Sequence, residues 1–370
     1  MSAQIFQLGR MWKSIQRSLF PELEDMVGEL SEKDRNFIKT CELCADALEK
    51  EMSVYPRKHM GRPPAERMAI AKAFIAKAVY RMATTEGLIA YLNASPTLRR
   101  LCGWESVGEV PSEATFSRVF NVFAEGKLPE HIHEAMVKKA YGRKMVGHIS
   151  RDATAIDARE RSQKGKDEEP VKLAPNKKGR PRRDEQRPAA PPKRLTLQGN
   201  RTLEENLADL PSACNWGCKR DSNGKQTAWK GYKLHVDMAD GDIPISAVLT
   251  SASLHDSQAA IPLAQMSAQR VMNCYDLMDA AYDAEEIWKH SRSLNHVPII
   301  DLNRRGAEKL PMVPAQAQRY NQRSSSERGF SYLEHYGAYS IWVKGAAKVM
   351  CHLMFAVLAL TAHQMFNMLL

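Results

Sequence analysis

The chain has no long apolar run. Its most hydrophobic stretch, VMCHLMFAVLAL from Val349 to Leu360, is about a dozen residues set between Lys348 and His363. A bilayer-spanning helix needs roughly 20 such residues, so the stretch reads as a buried core helix and no membrane is expected as a partner. No repeat period appears, which argues against a solenoid. No signal-peptide pattern stands at the start, and the seven cysteines are odd in number and scattered over 370 residues. That excludes a disulfide framework as the organising device, and the expectation is a cytoplasmic protein with reduced thiols. Acidic residues are in deficit, with 43 Asp and Glu against 53 Lys and Arg and a net charge of +10. Such a balance suits a polyanionic partner, because clustered cations release counterions from nucleic acid. Nucleic acid is the first candidate; an anionic membrane surface is second by charge alone and is not the partner expected.

Two cysteine pairs, Cys41/Cys44 and Cys214/Cys218, could together supply four thiolates to zinc. CELC lies in a helical pattern and CNWGC has a loose spacing, so the thiols read as structural or incidental. From Arg67 to Asn93 the sequence is Ala-rich with apolar residues at helical spacing, which predicts one or two amphipathic helices. In PSEATFSRVFNVFAEG, Ser112 is a candidate N-cap, Phe116, Val119, Phe120 and Phe123 form an apolar stripe, and Gly126 is a stop. Helices with short turns and an exposed Arg118 suit a helix-turn-helix-like module over residues 1–143. A plain helical bundle would explain the same pattern.

Near Val146 the pattern changes to apolar/polar alternation, and VGHISRDATAIDA reads as a strand pair opening a second domain at 144–160. Residues 161–201 are rich in Lys, Arg and Pro without periodicity, and read as a disordered basic insert. Structure resumes over 202–370. Two alternating runs flank Gly241-Asp242 as a hairpin, and then helix, strand, helix, strand and helix follow. The order is mixed α/β.

Three acids sit at informative places: Asp152 within the first strand, Asp279 at the end of LMD, and Glu327 in YNQRSSSERGF. If the last segment is helical, Tyr320, Arg323 and Glu327 share one face. Strand ends and a helix can converge in one cleft. Phosphoryl transfer with two magnesium ions wants such oxygen ligands, with Arg323 and Tyr320 holding a phosphate nearby. Each acid has a plainer reading as a turn or cap residue, and Asp157, Asp276, Asp283 and Glu334 are rival carboxylates close by. Lys230 and Lys233 read as sharing one strand face, either to track a phosphate backbone or as solvated edge lysines. His255 and Asp256 start a helix, where Asp256 suits a cap.

These motifs together resemble the bacterial insertion-sequence transposases of the DDE type. RPPAERMAIAKAFIAKAVY and PSEATFSRVF are similar to their helical N-terminal domain, SRDATAIDA to the first-Asp strand, and WKGYKLHVD and SLHDSQAAIPL to the blocks that follow. LMDAAYD is similar to the second-Asp block, and YNQRSSSERGFSYLE to the signature of Tyr, two residues, Arg, three residues, Glu. The resemblance implies a ribonuclease-H-like catalytic domain in which Asp152, Asp279 and Glu327 bind two Mg²⁺ ions, Mn²⁺ being a substitute. It implies contacts from Tyr320 and Arg323 to the element end, and places His255 and Asp256 near the active site. The implied activity is cleavage at the terminal inverted repeats and transfer of the 3′-hydroxyl into target DNA, by a homodimer on double-stranded DNA associated with the nucleoid. The signature's basic residue seven positions after Glu is replaced here by Glu334; Lys344 or Lys348 would have to supply the charge. The interval from Asp279 to Glu327 leaves no room for the large β-rich insertion of some relatives. In the basic insert, Lys178-Gly179-Arg180-Pro181-Arg182 resembles a minor-groove hook, with Arg180 and Arg182 as its DNA contacts, while a solvated linker is the plainer reading. Two rival functions remain at this stage: a non-catalytic DNA-binding protein derived from a transposase, and a metal-dependent nuclease without strand transfer.

Overall fold

The structure is a computed structural model describing residues 30–53, 66–142, 144–162, 192–220, 224–303 and 311–368. Apolar residues at helical spacing give α1 (Glu32–Ser53), α2 (Arg67–Val79), α3 (Thr85–Ala94), α4 (Pro96–Cys102), α5 (Glu113–Glu125) and α6 (Leu128–Tyr141). Side-chain caps set several of the boundaries. Thr84 accepts from the Gly87 amide at the start of α3, Ser95 accepts from the Leu98 amide ahead of Pro96, and Gly103 ends α4 in the left-handed region. Ser112 does precede α5, but its side chain makes no cap bond to the backbone, and Gly126 ends that helix.

The stripe of α5 is buried at Phe116, Phe120 and Phe123. All three rings meet Phe74 of α2, with centroids 5.8, 4.8 and 6.5 Å away. The expected amphipathic character fails for α2, which is buried on every side because it is the central helix of this layer.

After Lys144 the period becomes two. VGHISRDATAID is one strand, β1 (Met145–Asp157), and not the expected pair. The strand runs unbroken through Ser150, Arg151 and Asp152 because β1 finds partners on both sides, β3 and β5. The remaining elements are α7 (Arg194–Gln198), α8 (Leu203–Asp209), β2 (Asn215–Arg220), β3 (Gln226–Ala239), β4 (Ile243–Ser251), α9 (Ser257–Ala268) and β5 (Met272–Met278). A 3₁₀ turn (Ala280–Tyr282), α10 (Glu285–Ser293), β6 (Val297–Ile300), α11 (Pro314–Tyr320), α12 (Ser324–His335) and α13 (Ala346–Asn367) complete the chain. The sheet has six strands in the order β2-β3-β1-β5-β6, with β4 also paired to β3. β4, β3 and β1 are antiparallel, while β1, β5 and β6 run parallel. The fold is therefore mixed α/β, a helical N-terminal region followed by a mixed sheet. The Gly241-Asp242 hairpin is present, both residues taking positive φ.

α13 contains the apolar run foreseen as a core helix. It is long and apolar enough to cross a membrane by composition alone, yet 78% of its apolar window is buried inside the protein. It lies against α1, α2, α5, α6 and β4, and its Phe355 stacks on Phe74 at 5.7 Å. One apolar cluster consequently runs from the N-terminal helices through α13 to Val146, Ile149 and Ile245 of the sheet. Of the basic insert, residues 163–191 lie outside the described residues, so the hook with Arg180 and Arg182 does too. The insert's final residues are ordered, which corrects the boundary at 201. α7 forms there, Gln198 is buried and donates to the Gln258 carbonyl, and Arg194 pairs with Asp209 at 2.8 Å.

Inside the sheet Arg151 of β1 and Asp237 of β3 are cross-strand partners and fully buried. Two hydrogen bonds of 2.8 Å join them, and Ser267 adds a third bond to Asp237. Removing one member of such a pair strands a buried charge at a cost of about 3–5 kcal/mol. Arg151→Met should lower unfolding stability by about that amount in a denaturant titration, and Arg151→Met/Asp237→Leu should recover part of it. A single-variant loss under about 1 kcal/mol would show that the pair does not hold the β1–β3 register.

Candidate active site

The parallel register sets Arg151 opposite Met278, so the next residue on each chain, Asp152 within β1 and Asp279 just past the end of β5, turns to the same face of the sheet. Burial above all, then the charge of Asp279, push the Asp152 carboxyl above the ordinary aspartate range, against the pull of the Ala153 amide and of Arg323. Asp279 caps the 3₁₀ turn, its Oδ1 accepting from the Ala281 amide at 2.9 Å.

The third acid arrives on a helix. α11, a 3₁₀ step at Asn321–Arg323 and α12 run on without a break, so Tyr320, Arg323 and Glu327 do stack. The Arg323 guanidinium lies 5.9 Å from the centre of the Tyr320 ring. One of its nitrogens donates to Asp152 at 3.2 Å and the other to Glu327 at 2.7 Å. Arg323 is thus the physical link between the first and third acids. Against burial, which favours the neutral form, Asp152 and then Tyr320, Glu327 and Asp279 hold the guanidinium firmly charged. Its own carbonyl accepts from Ser150 on β1 at 3.0 Å, which pins the signature turn to the strand carrying Asp152.

α12 reaches the sheet through a missing side chain. A Cβ at Gly329 would stand 2.4 Å from the Met238 methyl and 2.9 Å from its sulfur, and Met238 is fully buried on β3. Ser325, one turn earlier on the same face, and Arg328 bind Asp242 at the hairpin, tying α12 to the turn.

The rival acids have other employment. Asp276 is buried and bound by Asn273 and His296, Asp283 accepts from Trp288 and the Asn303 amide, and Glu334 pairs with Arg81 at 3.5 Å. Asp157 is exposed at the end of β1. Asp256 precedes α9 but makes no cap bond; it accepts from Lys233 at 2.8 Å instead. His255 is exposed and bonds Ser257.

Lys230 and Lys233 do not share a face. They lie an odd number of residues apart on a strand whose side chains alternate, and Lys233 turns inward to Asp256 and the Leu254 carbonyl while Lys230 stands opposite Trp216. Arg118 is exposed on α5 and donates to Thr115. Cys41 and Cys44 sit on α1 and Cys214 and Cys218 at β2, in different layers of the molecule.

Among the described residues no three His, Cys, Asp or Glu side chains are gathered as a metal cluster. The guanidinium of Arg323 occupies the space between the acids. The donor set nonetheless suits a hard divalent cation. It offers carboxylate oxygens alone, two of them on adjacent strands where the charge of Asp279 helps push the Asp152 carboxyl up, and Glu327, 61% exposed, has room to turn. Sequence reasoning missed Ser150, although it stands in the quoted SRDAT, because nothing in a lone serine signals a bond to a distant carbonyl.

Two family models match the chain: a transposase domain (DUF772) over residues 28–121 and a Transposase DDE domain over residues 199–362. Together they take in well over half of it. The helical N-terminal region followed by a mixed sheet is consistent with a DDE transposase, and the chain belongs to the insertion-sequence transposases of that type. Its business is DNA transposition and recombination, in a family of enzymes that act on DNA and generally use divalent metal ions. Comparison with curated proteins gives no match.

The close approach at Gly329 makes a direct prediction. Gly329→Ala should overpack the α12–β3 contact at a cost of about 1–3 kcal/mol, measured by denaturant titration, and should reduce DNA cleavage more than DNA binding. Wild-type values for both would show that Met238 yields without moving the helix.

Proposed function

We propose that this transposase cuts DNA at the ends of its insertion sequence and joins the freed 3′-hydroxyl to target DNA, with Asp152, Asp279 and Glu327 as the metal-binding acids. The observation that carries the reading is Arg323, whose two nitrogens bind Asp152 and Glu327 at once. Residues from β1 and from a helix 175 positions away are thereby already held at one point. Two Mg²⁺ ions, or Mn²⁺ in their place, would be held by these acids and would supply an activated water and charge neutralisation for an in-line displacement.

The chain's own residues do the rest. Arg323 can exchange its carboxylates for the bidentate contact that a guanidinium makes with a phosphate of the element end. Tyr320, beside it, offers a ring to the same strand. Asp256, held by Lys233, and the exposed His255 before it are assigned accessory roles beside the acids. Lys230, Arg118 and, in the basic insert, Arg180 and Arg182 are the further cations assigned to DNA. Glu334 pairs with Arg81, so the charge that the signature supplies at this position falls to Lys344, which is exposed. The terminal inverted repeats and the target are double-stranded DNA, and two ends call for a homodimer in the active assembly. The working location is the bacterial cytoplasm, on the nucleoid. The helical region 1–143 serves end binding and the sheet region catalysis.

A cleavage and strand-transfer assay on DNA carrying the inverted repeats, with Mg²⁺, tests the reading. Wild type should yield joined products, and Glu327→Gln should bind the DNA without cutting it. Cutting without joining would make the protein a nuclease, and binding without cutting by wild type would leave a DNA-binding protein. The positive balance makes a separate prediction: the affinity for end DNA should fall steeply and linearly on a log–log plot against salt. A flat dependence would contradict DNA binding through phosphate contacts.

A further inference from the structure

A second guanidinium stands one helical turn before Arg323. Arg319 lies in the last turn of α11, and its guanidinium carbon is 4.7 Å from the centre of the Tyr275 ring on β5. Tyr275 is itself stacked on His148 of β1, with ring centroids 5.3 Å apart and planes 22° off parallel. The parallel register makes those two residues cross-strand partners. They stand four residues before Asp152 and Asp279 on their respective chains, so alternation puts all four on one face of the sheet. His148 is fixed in turn by Asp240, just past β3: its amide and its ring Nδ1 donate to the two carboxylate oxygens at 3.0 and 2.9 Å. That carboxylate comes so near β1 that a Cβ at Gly147 would stand 2.7 Å from it. Asp240, His148, Tyr275 and Arg319 thus form a column on the face that carries Asp152.

The column ends on a charge that no carboxylate takes up. Arg319 donates to the Ala315 carbonyl of its own helix at 3.1 Å, and among the described residues it forms no ion pair. Arg323, by contrast, is engaged by two acids. Packing on Tyr275 does not call for a charge, since an apolar chain would cover the ring as well, and like charges at i and i+4 disfavour a helix. A guanidinium seated on a ring with donors to spare suits an oxyanion, and phosphate above all. The spacing fits a nucleic-acid strand. Arg319 and Arg323 are about 6 Å apart along the helix axis, and the strand positions they lean on are about 13 Å apart. Between those limits falls the interval between near-neighbour phosphates on one DNA strand.

We propose that Arg319 is a second phosphate-binding residue of this transposase, taking a DNA phosphate close along the strand from the one that Arg323 receives, with Tyr275, His148 and Asp240 holding it in place. The inference rests on the reading of Arg323 and the acids given above. Element end and target both present a phosphodiester, and the strand assigned to Arg323 is that of the element end, so Arg319 follows it.

The test measures binding of wild type, Arg319→Gln and Arg319→Lys, all as full chains, to an inverted-repeat duplex and to a random-sequence duplex of equal length over a series of salt concentrations. Loss of one phosphate contact lowers the slope of log affinity against log salt by about 0.9. On the inverted-repeat duplex, whether or not the random one shares the effect, Arg319→Gln should lower the slope by that amount and the affinity by about tenfold, with the thermal midpoint unchanged. Arg319→Lys should keep the slope, because the charge remains. A slope lowered on the random duplex alone would overturn the assignment to the element end and give the contact to target DNA. An unchanged slope on both would overturn the proposal and leave the column the task of holding α11 on the sheet. Methylphosphonates that neutralise single phosphates of the end duplex locate the contact. Wild type should lose affinity at a phosphate within about two nucleotides of the cut, and Arg319→Gln should lose nothing further there. An undiminished loss in the variant would also overturn the proposal. A wild-type affinity that is flat against salt would sink the DNA reading itself, whereas a steep wild-type slope untouched by Arg319→Gln removes only the role of Arg319.

Discussion

Everything at the site depends on how β1 is held, and the Arg151–Asp237 pair does the holding. A strand alternates its side chains, so the residue that turns inward to meet Asp237 dictates that its neighbour, Asp152, turns the other way. A slip of one residue would put the arginine at the surface and the aspartate in the core. Because β1 is also the parallel partner of β5, the same pair decides that Asp152 stands beside Asp279. Burying a guanidinium and a carboxylate is an expensive way to set a register, and a pair of apolar side chains would slide more readily. Adjacent residues thus divide the work, one specifying the sheet and the next facing the candidate site.

The helix with the third acid reaches the sheet by different means. It is tied at Asp242 by Arg328 and Ser325, at Ser150 through the carbonyl of Arg323, and at Met238 through the bare backbone of Gly329. These attachments lie on both sides of Glu327 and leave its carboxylate exposed. The acid therefore stands on a fixed helix with a free side chain, while Asp152 is embedded and electrostatically loaded by its neighbour. Arg323 spans the two conditions, and its positive charge offsets the repulsion that the acids would otherwise exert.

Much of this was legible in the residues. Helical spacing located α2, α3 and α5, the Gly241-Asp242 hairpin was readable from its turn chemistry, and the stacking of Tyr320, Arg323 and Glu327 followed from periodicity alone. What local patterns could not show were choices made by tertiary partners. β1 read as two strands because alternation alone does not mark where a strand ends, and its unbroken length is set by partners far along the chain, Asp237 for Arg151 among them. α2 read as amphipathic because its lysines suggested a wet face, yet Lys77 is buried. Lys233 read as a surface cation, and a carboxylate on a different element had drawn it inward. The insert read as uniformly unstructured because composition was averaged over its length, so the short helix at its end went unseen.

The glycine against Met238 has an implication for the history of such a chain. Mobile elements multiply, and their copies drift once selection on each relaxes. Most surface changes in a drifting copy would leave its chemistry alone, but at position 329 a gain of one carbon has to be taken up by the Met238 side chain or by a shift of the helix that carries the third acid. Where the helix shifts, the hydrogen bonds at Asp242 would keep the shift small, so on the proposed reading such a copy would keep its shape and its hold on the element's ends while losing the cut. A single added methyl is thus a short evolutionary road from an active element to an occupant that shields the ends from its own relatives.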